Sequence, residues 1–272
     1  SFAGHPGEDN FINNVGAEAT MDLTLHGKIG NIPASEVVVV VEKKAPHRIR
    51  IRGRVNEVSF YGPNLSIWTE ISTVPGSNEF RISDELTNHG TFDEEFQIIY
   101  HANFGRPLLG RGARMLTAST KIVPFNENAA KAIGKQEVYP APTKGFTEEV
   151  YKIYPKVDKA GNATAVLVNS KGDRGVTMSW PVKQLPYLTQ WKNTAAETTG
   201  YVTGIEPGTG FPHNRSYERK YGRVPKLAPG KTRSFDLNFK ILGNKDEVET
   251  AAEAVKKLQG PIGPEIQKEP EE

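Results

Sequence analysis

Short β-branched runs recur from residue 36 to residue 241, each closed off by Pro, Gly or Asn, with almost no helical periodicity between them. Parallel strands need crossover connections of a dozen or more residues, usually helices, so such a chain is left with antiparallel pairing. That restricts it to an all-β sandwich or barrel. The runs lie at residues 36–42, 48–54, 66–72, 79–86, 97–104, 115–123, 163–169, 176–181, 200–206 and 233–241. The first two read as a hairpin through Lys43-Lys44-Ala45-Pro46. With 26 Gly and 19 Pro in 272 residues, turns are many and strands short. No repeat or linker divides residues 1–243, which read as one large β domain.

Helical spacing is confined to the end. Val248, Ala251, Ala252, Val255 and Leu258 fall on one helical stripe, with Asn244 as cap and Gly260-Pro261 as stop. This predicts a helix over residues 244–260, packed on the body. Residues 261–272, rich in Pro and Glu, predict a mobile tail.

Several function classes fall away on composition. Lys+Arg is 34 against Asp+Glu 32, a net charge of +2 without the basic excess of a nucleic-acid binder. No run approaches the ~18 apolar residues of a spanning helix, so no membrane partner is expected. The absence of cysteine excludes disulfides, thiol catalysis and Cys-ligated zinc. It suits cytoplasm and periplasm equally, and leaves localisation open. The chain begins at Ser1 without an initiator Met or a signal sequence, the expected mark of a removed leader or of a longer product. A phosphate-binding G-x-x-x-x-G-K-[ST] loop, a G-x-S-x-G elbow and a G-x-G-x-x-G turn opening a helix are all missing.

Three segments could carry chemistry. In residues 97–104, period-2 alternation places Gln97, Ile99, His101 and Asn103 on one face, opposite Tyr100, Ala102 and Phe104. Such a row fits a polar ligand cleft or a solvated outer face. Residues 201–214 end a strand on Glu206 and run into a Pro/Gly turn; Pro207 has no N–H for that carboxylate to accept. Just upstream, Trp191-Lys192 offers a ring that could stack on a sugar or fill a core. The third segment, Leu25-His26-Gly27, is a His in a Gly-rich turn. Arg106, Arg111 and Arg114 read as a solvated loop that could also grip an anion.

In order, these segments resemble the aldose 1-epimerase (galactose mutarotase-like) superfamily, and most closely its little-characterised bacterial branch. The resemblance rests on Asn14-Val15-Gly16, Leu25-His26-Gly27, Tyr100-His101-Ala102-Asn103-Phe104-Gly105, Pro107-Leu108-Leu109, Gln184-Leu185-Pro186, Gln190-Trp191-Lys192, Ile205-Glu206-Pro207 and Leu227-Ala228-Pro229-Gly230-Lys231-Thr232. It implies a mostly antiparallel β-supersandwich with a sugar cleft on one sheet, and a cofactor-free, metal-free isomerase of carbohydrate metabolism. His101 matches the general acid acting on the ring oxygen. Glu206 matches the general base on the C1 hydroxyl, and His26 a substrate-binding His. His89 is a second match to the acid motif, without the Asn-Phe that follows His101. Asn103, Gln97, Trp191 and Lys192 are the expected further substrate contacts. Two departures stand out: no Arg precedes His26 in the family's position, and the family pattern starts upstream of Ser1, so N-terminal strands are expected to be missing.

The expected partner is a small carbohydrate, with sugar identity, anomer and oligomeric state open. A non-catalytic carbohydrate-binding protein on the same scaffold is the alternative, and a metal-dependent isomerase using His26, His89, His101 or His213 with Glu148, Glu149 or Glu206 is a third. The mutarotase reading makes a geometric demand. His101 and Glu206 should lie on neighbouring central strands, on one concave face, roughly 4–7 Å apart.

Overall fold

The computed structural model describes residues 4–13 and 15–271. Asn14, one of the resemblance positions, and Glu272 of the expected tail lie outside the described residues. The chain forms two compact units, Ser1–Ile99 with Thr209–Leu237, and Tyr100–Gly208 with Asn238–Glu272.

The first unit opens with a hairpin of β1 (Gly7–Ile12) and β2 (Glu18–Leu23). An antiparallel meander follows, built from β3 (Glu36–Val41), β4 (Ile49–Val58), β5 (Asn64–Thr73) and β6 (Glu79–Asn88). Alternation buries Leu65 and Ile67 of β5 and Leu86 of β6, together with Phe96 and Phe235. A short β7 (Glu94–Glu95) completes this stretch.

In the second unit come β8 (Ala102–Phe104), β9 (Arg114–Thr117), β10 (Ser119–Pro124) and the short helix α1 (Glu127–Ala130). Then follow β11 (Glu149–Pro155), β12 (Asn162–Val168), β13 (Gly175–Pro181), β14 (Tyr187–Thr194) and β15 (Tyr201–Gly208). The chain returns to the first unit for α2 (Arg215–Lys220) and β16 (Lys226–Leu227), whose partner is β7. Strand β17 (Thr232–Leu242) begins there beside β6, and its last residues pair with β13. Helix α3 (Lys245–Gln259) and the two-residue β18 (Glu265–Ile266) end the second unit.

The all-β expectation holds. Its sheets are antiparallel apart from β18, which runs parallel to β10. Helix α3 starts at Asn244, whose side chain accepts from the Glu247 N–H, and it stops at Gly260. Val248 and Val255 pack on Ala118, Val166, Val168 and Leu242. Three expectations change. The run at 97–104 is a strand only over Ala102–Phe104, so strand alternation does not extend back to Gln97. The run at 115–123 is two strands, because buried Ala118 carries the chain from the β9–β12 pairing to the β10–β11 pairing. Residues 261–271 are not a loose tail: β18 pairs with β10, the Gln267 N–H donates to Ile122 O, and Glu271 meets Lys152. The Pro and Glu content that favours disorder is offset here by backbone pairing and an ion pair. Among the described residues no helix is long and apolar enough to cross a membrane.

Candidate active site

Among the described residues, β18-β10-β11-β14-β15-β8 form a six-stranded sheet that carries His101 and Glu206. Register determines which side chains share a face. Glu206 on β15 pairs with Thr189 on β14, and Thr189 with Lys152 on β11. One step along, Gly204 pairs with Trp191 and with Asn103 of β8, and Trp191 pairs with Val150. Directly paired residues project to the same side, so these two rows make one face. His101 lies just before β8, at a tight turn where the Ala102 N–H donates to Tyr100 O. The Tyr100 N–H donates to Pro207 O, holding His101 alongside Glu206.

The two groups meet. His101 Nε2 lies 3.2 Å from Glu206 Oε1, with the carboxylate side chain 3% exposed and the imidazole 30%. The contact is within proton-transfer reach without the alignment of a hydrogen bond. Gly204 makes room for it: a Cβ there would collide with the Glu206 carboxylate and lie 3.1 Å from His101 Cε1. Trp191 packs edge-on to His101, centroids 5.5 Å apart, and its indole N–H donates to Glu148 at 2.7 Å. Burial pushes the Glu206 carboxyl up to about 8, and the Glu148 carboxylate adds to the rise. A carboxyl with that value exchanges its proton near neutral pH.

Two parts of the geometric expectation need correction. The separation is shorter than 4–7 Å, because the cross-strand neighbours touch over a glycine. His101 also belongs to the sheet's edge, since β8 is the last strand. Of the expected substrate contacts, Trp191 and Asn103 share the face with His101 and Glu206. Lys192 does not. Following Trp191 on one strand, it projects to the opposite face, where its Nζ pairs with Glu149 at 3.4 Å and donates to Val138 O at 3.0 Å. Rings of Tyr139 and Tyr151 cover it, and burial lowers its pKa.

Gln97 and His26 belong to the first unit. Gln97 is buried and accepts from Arg215 Nε at 3.2 Å. His26 occupies a left-handed backbone conformation (φ 61°) in its turn, and its N–H donates to Gly4 O. The competing His89 is also there, 2.7 Å from the Ser66 hydroxyl. Among the described residues no group of three or more His, Asp or Glu side chains is arranged to hold a metal.

Sequence reading missed Thr189, Lys152 and Gly204 on the Glu206 face. The missed signal was period 2 on β14, where Tyr187, Thr189 and Trp191 alternate with Leu188 and Gln190. On β11 it was a lysine inside an otherwise apolar run, Val150 to Tyr154.

The family model described as a domain of unknown function, DUF4432, matches residues 1–241. The chain belongs to the DUF4432 family. A Klebsiella pneumoniae protein, a candidate aldose 1-epimerase, is 41% identical at TM-score 0.91; the match covers 99% of this chain and 68% of that one. An Escherichia coli K12 candidate aldose 1-epimerase aligns at 13% identity and TM-score 0.59, over 88% of this chain and 81% of its own. A galactose mutarotase-like protein from Clostridium acetobutylicum aligns at 15% and 0.56, over 80% and 68%. The last two show the fold, which in this DUF4432 chain is galactose mutarotase-like. No protein of curated function matches.

Proposed function

We propose that this DUF4432 protein interconverts the anomers of an aldose or aldose derivative, using Glu206 and His101 as base and acid. The observation that carries this reading is the 3.2 Å approach of His101 Nε2 to a buried carboxyl whose pKa is raised to about 8. Glu206 takes the proton of the C1 hydroxyl while protonated His101 gives one to the ring oxygen. The C1–O5 bond breaks, C1=O1 forms, and rotation about C1–C2 presents the other carbonyl face. Closure runs the same steps backwards and returns both protons. A sugar enters by parting the two groups, each then within ~2.6–3.2 Å of its own oxygen.

Trp191 supplies an apolar wall beside the imidazole, and Asn103, exposed on the same face, offers an amide to a sugar hydroxyl. The Klebsiella relative, itself a candidate aldose 1-epimerase at 41% identity, supports the reaction class. The test is equilibration of freshly dissolved α-anomers, followed by polarimetry or NMR exchange. Acceleration that disappears in His101→Ala and Glu206→Gln is the expected result. Sugar binding with no acceleration in the parent protein would replace this reading with that of a carbohydrate-binding protein.

A further inference from the structure

A second polar cluster lies on the sheet face that carries Glu206. Lys152 is in register with Thr189, and Thr189 with Glu206, so the lysine projects from the same face two strands away. At one strand spacing per step the backbones of Lys152 and Glu206 stand about 10 Å apart. That matches the span of a hexose from its anomeric hydroxyl to a substituent on C5 or C6. The Lys152 side chain is 0% exposed, and its Nζ donates to Glu271 Oε2 at 2.7 Å. Tyr154, two residues along β11, donates its hydroxyl to Glu271 Oε1 at 3.1 Å, and its ring packs edge-on to Tyr187. One carboxylate is thus clamped through both oxygens by an ammonium and a phenol.

We propose that Lys152 and Tyr154 form an anion-binding subsite of the Glu206 cleft, which Glu271 occupies in place of the charged group of a sugar acid or sugar phosphate. The inference rests on the sugar-binding reading of the face. A buried ammonium is tolerable when a carboxylate meets it, and becomes costly when that partner is withdrawn. Glu271 reaches Lys152 from a segment held by the two-residue pairing of β18, by the Gln267 N–H on Ile122 O and by Lys121–Glu265 at 3.6 Å. A short pairing of that kind is readily exchanged. A neutral sugar that displaced Glu271 would strip the lysine of its carboxylate. A sugar carrying a carboxylate or phosphate replaces it. The cleft therefore selects anionic aldoses, and Glu271 acts as a tethered competitor.

The experiment is calorimetric titration of the full chain with a neutral hexose, its uronate and its 6-phosphate, alongside anomer exchange of the same three sugars. In Glu271→Ala the expected result is about tenfold tighter binding of at least one anionic sugar and little change for the neutral one. Lys152→Met should erase the anionic preference. Stronger binding of the uronate or of the 6-phosphate assigns the natural group as carboxylate or phosphate. Neutral and anionic sugars binding alike in Glu271→Ala, or no anionic sugar binding to it, overturns the subsite even if Lys152→Met does not fold. Anion-selective binding without faster exchange sinks the epimerase reading and keeps the subsite. Faster exchange of all three sugars alike keeps the epimerase and sinks the subsite.

Discussion

Lys152 and Lys192 are both buried, and they project from opposite faces of one six-stranded sheet. Lys192 finds its counter-charge one strand away, in Glu149, which pairs with it directly in the ladder. A backbone carbonyl and two tyrosine rings complete its surroundings. Lys152 takes its carboxylate from Glu271, in a segment joined to the sheet by a two-residue strand. An ion pair between paired strands has its two partners held side by side by the ladder, whereas one closed by an added segment can exchange its partner. The contrast extends to the rest of each face. The Lys192 side has Leu188, Ile153 and Ile205 as packed core, and a Tyr139 hydroxyl that bonds Thr203 while burial pushes its pKa up to about 12. The Glu206 side has the half-buried rings of Trp191, Tyr154 and Tyr187, and a His101–Glu206 contact that lacks hydrogen-bond alignment.

If the faces divide labour in this way, substitutions on one should cost rate and on the other stability. Glu206→Gln tests this most severely. Loss of a positioned acid–base group should lower the anomer-exchange rate by ~10²–10⁴-fold. The same substitution should stabilise the fold in alkali. Between pH about 4.5 and about 8, folded Glu206 keeps a proton that the unfolded chain has released, so stability falls as pH rises through that window. The penalty amounts to at most about 5 kcal/mol above pH 8. Denaturant titrations at pH 5 and pH 9 should show the parent weakening between them and Glu206→Gln weakening less. Equal weakening in both would remove Glu206 as the source.

Lys192→Met should do the reverse, with a loss of up to about 3 kcal/mol as the half-buried Glu149 is left without its ammonium. The rate of the remaining folded protein should hold, and single-turnover rates corrected for folded fraction would reveal any catalytic part played by Lys192. Smaller effects belong to the surroundings of Glu206. The limb of kcat/KM governed by Glu206 should rise with pH around 8, because the base acts deprotonated. Glu148→Gln removes the neighbouring negative charge and should move that limb to lower pH, by less than burial raised it. A limb that stays in place would show that burial alone governs Glu206. Trp191→Phe keeps a ring beside His101 and loses the bond to Glu148. It should change KM by only a few-fold, an amount in keeping with one exposed hydrogen bond.

Part of this site was legible from local pattern. His101 and Glu206 end up together: Glu206 was marked by a strand running into Pro207, while the strand expected through His101 begins only after it, at Ala102. Lys192 was misplaced for want of the same rule, since a residue beside Trp191 in a strand must face away from it. Lys152 and Thr189 were passed over because a polar residue within a buried strand lowers the periodic signal that identifies the strand at all.

The sequence by itself determined an antiparallel β protein with one terminal helix, because strand period, turn residues and caps act over a few neighbouring positions. Only the tertiary structure decided that Glu206 lies 3.2 Å from His101 with its pKa raised, and that Glu271 reaches Lys152 from 119 residues away. Burial and charge proximity depend on which strands become neighbours. That choice is made by the whole packed sheet, not by any segment in it.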